Sequence, residues 1–119
     1  MNIEEIQAYC CSKSHTSEDM PFDDTTLVFR VCGKIFALLS LDEPLSINLK
    51  CDPVKAIELR EEFSGITPGY HMNKKHWNTV MLDGSIENKI LLELIDHSYQ
   101  QVVLKLPLKL RNEVLKNHL

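Results

Sequence analysis

The sequence predicts an α+β domain: a two-layer α/β sandwich in which an antiparallel sheet of about five strands carries helices on one face. Three observations lead there. Thr26 to Cys32 and Ile35 to Leu39 are rich in β-branched and aromatic residues and are separated only by Gly33-Lys34, so they pair locally. Leu45 to Lys50 alternates strictly, with Leu45, Ile47 and Leu49 opposite Ser46, Asn48 and Lys50, as a strand wet on one side does. Helical periodicity marks the segments opening near Asn2, Pro53 and Ile86, and amphipathic helices laid on strands joined by short turns give this architecture.

The expected order is α-β-β-β-α-β-β-α. Asn2 caps a first helix whose Ile3, Ile6 and Cys10 recur at i, i+3 and i+7, and the polar run Ser12 to Ser17 ends it. An acidic loop around Glu18-Asp19-Met20-Pro21-Phe22 leads to the hairpin, whose tight turn falls at Cys32-Gly33. After the third strand, Asp52-Pro53 starts a second helix: the carboxylate accepts an orphan amide, and proline at the first position has no N–H to lose. That helix runs to about Phe63, with Val54, Ile57 and Phe63 inward.

Ser64-Gly65 stops the second helix and Pro68-Gly69 punctuates the loop that follows. Tyr70 to Met72 and His76 to Leu82 then read as two short strands joined through Asn73-Lys74-Lys75. Ser85 caps a long helix from Ile86 to about Leu106, with Ile90, Leu94 and Val102 near one face. Pro107 ends it ahead of a basic, leucine-bearing tail with room for a short further helix.

A chain of 119 residues is the size of one domain, 1–119, and buries roughly 65% of its unfolded surface. No apolar run approaches a membrane span and no basic-then-apolar leader opens the chain, so a cytoplasmic location is expected. Cys10, Cys11, Cys32 and Cys51 form no CxxC pair and lie in apolar patterns, which reads as reduced core or near-core thiols. The formal charge of −4 opposes indiscriminate binding to nucleic acid. Its distribution is uneven: Glu4, Glu5, Glu18, Asp19, Asp23 and Asp24 outweigh Lys13 and Arg30 in the first thirty residues, and the remainder is balanced.

The motifs LKCDP at 49–53, Leu59-Arg60, ITPGYH at 66–71 and KKHWNTVMLDG at 74–84 together resemble the MmcQ/YjbR family. PF at 21–22, VFRVCGKIFALL at 28–39 and HSYQQVV at 97–103 agree, so the resemblance covers nearly the whole chain. It implies a compact fold similar to type III secretion chaperones and comparable with frataxin (CyaY), and DNA binding through a double-wing surface. Asp23-Asp24 departs from the glycine many members carry there, and acids at that edge repel phosphate.

In KKHWNT the lysines suit phosphate and the indole suits stacking, so the DNA-binding residues expected are Lys34, Lys74, Lys75, His76, Trp77 and Asn78, with Lys34 at the hairpin tip as the second wing. Each has a plainer reading. Trp77 shares a strand face with Thr79 and Met81 and can pack beneath a helix; Lys74 and Lys75 can simply keep a turn solvated. Convergence of Lys34, Lys50, Lys74 and Lys75, away from the acidic first thirty residues, would favour the DNA reading.

His71 and His76 could face each other, but only Cys51 and Asp52 offer themselves as further ligands, so no metal is expected. Walker, GxGxxG, HExxH and GxSxG motifs are absent, so neither a nucleotide cofactor nor a catalytic residue is expected. The first reading is a non-enzymatic binding protein with DNA as partner. The alternatives are a protein- or peptide-binding module using an apolar surface or sheet edge, and a small-ligand or enzymatic cleft around His71, His76 and Asn78.

Overall fold

The computed structural model describes residues 1–69 and 72–116. Its elements are α1 (Ile3–Cys11), β1 (Thr16–Asp19), β2 (Thr26–Val31), β3 (Lys34–Ser40), β4 (Ser46–Lys50), α2 (Pro53–Glu62), β5 (Ile66–Pro68), β6 (Trp77–Met81), α3 (Asn88–Val103) and α4 (Leu108–Lys116). The strands form one six-stranded sheet in the order β1-β2-β3-β4-β6-β5, and every neighbouring pair is antiparallel. The fold is therefore α+β, with one strand more than expected.

That strand is β1. Thr16–Asp19 has no apolar pattern, and it is a strand because its backbone pairs with Val28–Val31 of β2 at the sheet edge. β5 also differs from expectation. The partner of β6 is Ile66–Pro68; Met72 lies in a bend, and Tyr70 and His71 fall outside the described residues. Ser85 does not cap α3: its amide donates to Asp83 Oδ1 at 3.0 Å, and the helix starts after Glu87 with no side-chain cap.

The caps of α1 and α2 and the hairpin turn form as expected. Glu5 N–H donates to Asn2 Oδ1 at 2.8 Å, and Asn2 N–H donates to Glu5 Oε1 at 3.1 Å, a reciprocal cap on α1. Asp52 Oδ2 accepts from Val54 and Lys55 N–H at 3.1 and 3.2 Å, with Pro53 in the first turn of α2. Cys32 and Gly33 both take positive φ, 48° and 80°, as a two-residue turn matched to strand twist requires.

The helices bury one face of the sheet. Phe29 and Val31 of β2, Phe36, Ala37 and Leu39 of β3, Ile47 and Leu49 of β4 and Val80 of β6 meet Ile6 and Cys10 of α1, Leu91, Ile95, Tyr99 and Val102 of α3 and Val114 of α4. α2 docks through the small Ala56, with Leu59 and Phe63 half-buried, and so turns Val54 and Ile57 to solvent, 65% and 53% exposed, rather than inward. The opposite face carries a smaller cluster of Val28, Leu38 and Trp77. Trp77 is 9% exposed, so it is buried, but on the helix-free side rather than beneath a helix.

β3 and β4 pair only from Ser40↔Ser46 to Ala37↔Leu49. Beyond that point the buried Ser98 of α3 stands between them. Its Oγ accepts from Lys50 N–H at 2.8 Å and donates to the Phe36 carbonyl at 2.5 Å, replacing the ladder bond the diverging strands lose. We expect Ser98→Ala to orphan both groups and cost about 2–4 kcal/mol, read in urea denaturation as a lower midpoint at unchanged slope. A loss under about 0.5 kcal/mol would show that the hydroxyl is dispensable.

Candidate functional site

β3 starts, β4 ends and β6 starts at the same end of the sheet, and α3 finishes over it. Because Ser98 holds β3 and β4 apart there, a cleft of about 250 Å³ opens between them, lined by Lys34, Ile35, Lys50, Val102, Lys105 and Leu106. Among the described residues the ion pairs are Lys13–Asp96 and Arg30–Asp19, so none of the three cleft lysines is paired. Desolvation and then the Lys105 charge hold the Lys50 ammonium below its usual pKa. His76 is also held below 6.5, first by desolvation and then by Lys105, Lys50 and Lys75, with Asp52 opposing.

One tip beside this cleft is the Cys32-Gly33 hairpin, which delivers Lys34; the other is the turn at 73–76, on which Lys74 and Lys75 are exposed. That second turn is anchored from α2. Arg60 Nε donates to Asn78 Oδ1 at 2.6 Å, and Arg60 Nη2 donates to the Lys74 carbonyl. His76 and Trp77 N–H both donate to the Asn73 carbonyl, at 3.2 and 3.0 Å. Gly69 closes the base: its N–H donates to the Trp77 carbonyl at 2.8 Å, and a Cβ there would stand 2.7 Å from Trp77 Cβ.

The residues read from sequence therefore separate into two groups. Lys34, Lys75 and His76 are brought together around Lys50, and Lys74 stands exposed on the same turn. Asn78 is 2% exposed, its amide committed to Arg60 and to the Ala56 carbonyl, and Trp77 lies behind the turn in the helix-free cluster. Asn78 and Trp77 lie behind the turn rather than facing solvent with it. Lys105 is the residue that local reading missed, because it reaches the cleft from α3's end, far along the chain from Lys34 and Lys50.

Six acids stand in the loops of the far end. Loops 20–25, 41–45 and 82–87 carry Asp23, Asp24, Asp42, Glu43, Asp83 and Glu87 and no lysine or arginine. The links at the basic end hold one acid among the described residues, Asp52, which caps α2. β3 is seven residues long, so the two ends stand roughly 20 Å apart.

No helix of the described residues is long and apolar enough to cross a membrane, and no three of their His, Cys, Asp and Glu side chains group as metal ligands. The cysteines are free: Cys10 and Cys51 are buried, Cys32 sits in the turn, and Cys11 is exposed rather than near-core because it closes α1 on its outer side. Burial chiefly pushes the Cys10 thiol up to about 12 and those of Cys11 and Cys51 to about 11, so they are protonated and weakly nucleophilic at neutral pH.

Residues 11–101 match the YjbR family model. This chain belongs to the YjbR family. It is 35% identical over 108 residues to YjbR of Escherichia coli K12, covering 90% of this chain and 92% of that one. It is 44% identical over 84 residues to YbdF of Escherichia coli O157:H7, covering 70% and 69%. The crystal structure of Deinococcus radiodurans protein DR2400, a DUF419 domain, superposes with a TM-score of 0.88 at 40% identity, covering 95% of this chain and 87% of that one. A Pseudomonas syringae crystal structure gives 0.75 at 34%, covering 85% and 98%. The Leu59-Arg60 and KKHWNT motifs by which the chain resembles YjbR proteins thus include the anchor and the turn it holds.

Arg60→Ala is expected to leave the buried Asn78 carbonyl unpaired and cost about 2–3 kcal/mol. Arg60→Lys should not restore it, because an ammonium cannot span both acceptors as the guanidinium fork does. Faster hydrogen exchange at His76 and Trp77, with β2–β3 unchanged, would locate the loss at the turn.

Proposed function

We propose that this YjbR-family protein is a non-catalytic binder of duplex DNA whose phosphates dock on the basic end of the sheet. The observation that carries this reading is the cleft in which Lys34, Lys50 and Lys105 stand together, none of them ion-paired among the described residues. Unpaired cations held at the cost of mutual repulsion are stabilised by an arriving polyanion, and each phosphate neutralised releases counterions. Lys74 and Lys75 extend the same field along the second tip.

The net charge of −4 does not decide against this. At about 0.1 M salt the screening length is about 10 Å, shorter than the roughly 20 Å along β3 between the loop acids and the lysines, so a phosphate at the basic end responds mainly to the local charge, in which Asp52 is set against Lys34, Lys50, Lys75 and Lys105. Strand addition by a peptide is less well supported. One sheet edge carries Glu18 and Asp19 on β1, and the other is the three-residue β5 ending at Pro68; both are blunted. A reactive cleft around His76 and Asn78 lacks support too, since the Asn78 amide is spent internally.

Fluorescence anisotropy with a duplex of random sequence tests the proposal. Four neutralised phosphates give a log K against log salt slope of about −3 to −4. Replacing Lys34, Lys50 and Lys105 together by alanine should weaken binding about tenfold or more and flatten the slope to about −1, while Lys89→Ala at the other end changes nothing. No binding in about 50 mM salt, or full affinity in the triple variant, would remove the proposal.

Proton linkage supplies a second check. The free protein holds His76 below its ordinary 6.5, and an adjacent phosphate favours the imidazolium, so the complex has the higher pKa. Affinity should therefore rise as pH falls through the bound-state pKa and level off below the free-state value. His76→Gln should abolish that rise and leave binding at pH 8 intact.

A further inference from the structure

On the helical side of the molecule, α1, α3 and α4 enclose a second concavity of about 530 Å³, lined by Tyr9, Lys13, Asp96, Gln100, Leu104 and Leu115. Its polar edge is built from residues far apart in sequence. Lys13 Nζ lies 2.5 Å from Asp96 Oδ1, and the Tyr9 hydroxyl donates to the same oxygen at 2.6 Å. The ammonium also sits 5.0 Å and 5.1 Å from the Tyr9 and Tyr99 ring centroids, and the Tyr99 hydroxyl donates to the Ser14 carbonyl at 2.6 Å. None of the described residues donates to Asp96 Oδ2, and the Asp96 side chain is 41% exposed.

Two consequences follow for a ligand. An aromatic cage beside a carboxylate ordinarily selects an external ammonium, but Lys13 already fills that position, so a second cation would meet its charge. An anion would meet Asp96 and would also lose its hydration against an apolar wall. What the edge offers is an ammonium donor and a carboxylate acceptor side by side with no net charge. That pair matches a neutral group that both accepts and donates, such as a carboxamide or alcohol. Burial first of all pushes both tyrosine hydroxyls up to about 12, so they remain donors at neutral pH.

The rest of the wall is apolar and underused. Leu104 and Leu115 are 56% and 44% exposed where they flank the concavity. Covering them recovers apolar area that otherwise stays in water, and the volume is that of a site for a drug-sized molecule.

From this juxtaposition we infer that the cleft between α1, α3 and α4 is a binding site for a neutral, largely apolar small molecule bearing one carboxamide or alcohol group, seated against the Lys13–Asp96 pair with its body on Leu104 and Leu115.

The test uses the ¹⁵N-labelled full chain and three probes with one shared body: naphthalene-2-carboxamide, 2-naphthoate and 2-naphthylmethylammonium. Saturable amide shifts at Tyr9, Gln100 and Leu104 are expected with the carboxamide, at an affinity about tenfold above both ions. Leu104→Lys, at an exposed position where the fold tolerates it, should erase those shifts while leaving the thermal midpoint unchanged. Failure of all three probes to give saturable shifts there overturns the site. So does appearance of the shifts at residues away from this cleft instead. Equal binding by either ion overturns the ligand class.

Discussion

The hydroxyl of Ser98 is the constraint on which the arrangement turns. A sheet whose third and fourth strands stayed paired to their ends would have no opening between Lys34 and Lys50. Here the ladder stops at Ala37↔Leu49, and a side chain from α3 takes both orphaned groups. The same place in β3 carries an irregularity, where Phe29 pairs with Ala37 and Arg30 with Ile35. The extra residue is Phe36, which enters the core beside Ala37 and meets Tyr99 edge-on at 5.3 Å. Core packing, strand divergence and the seating of α3 are therefore one event, and Val102, Lys105 and Leu106 reach the resulting gap because α3 is fixed there.

Electrostatics then follow from topology. Antiparallel neighbours return each connection to one end or the other, so the sign of a loop's charge decides which end it charges. The loops at 20–25, 41–45 and 82–87 are acidic, while the hairpin tip, the turn at 73–76 and the end of α3 are basic. A chain of net charge −4 thereby presents a locally positive surface: the loop acids stand a strand's length away, and the nearer Asp19 and Asp52 are engaged by Arg30 and by the α2 cap, so among the described residues the cleft lysines carry no ion pair. Lys50 and His76 are held below their usual pKa first by desolvation and then by the neighbouring lysine charges, the second being the repulsion expected of such a cluster.

How much of this the sequence discloses depends on the range of the interaction responsible. Asn2, Asp52-Pro53 and Cys32-Gly33 act on their own few residues, and their effects are legible. The alternation in β4 is legible for the same reason. β1 is not, because Thr16–Asp19 is held by its partner strand and has no buried side to advertise. Val54 and Ile57 mislead because Ala56 lets α2 approach closely on another face, and tertiary fit overrides apolar spacing. The turn at 73–76 could be named as a site from its composition; Lys105 could not, since nothing local ties it to Lys34. Tyr9, Lys13 and Asp96 are still less visible, being joined across 83 residues or more.

The two clefts lie on different sides of one helix, and this bears on whether they can communicate. Asp96 and Gln100 of α3 and Leu104 at its C-terminal cap line one; Val102 of α3, with Lys105 and Leu106 just beyond its end, lines the other. Coupling between them would require α3 to have two positions, each preferred by a different occupant. Ser98 opposes that, since sliding or turning the helix breaks the bonds to Phe36 and Lys50 and leaves both backbone groups unpaired at the cost of a buried polar defect. Tyr99 adds to the restraint through its ring on Phe36 and its hydroxyl on the Ser14 carbonyl. The geometry thus makes α3 a fixed partition. On that footing, a ligand in one cleft should leave the groups lining the other where they are.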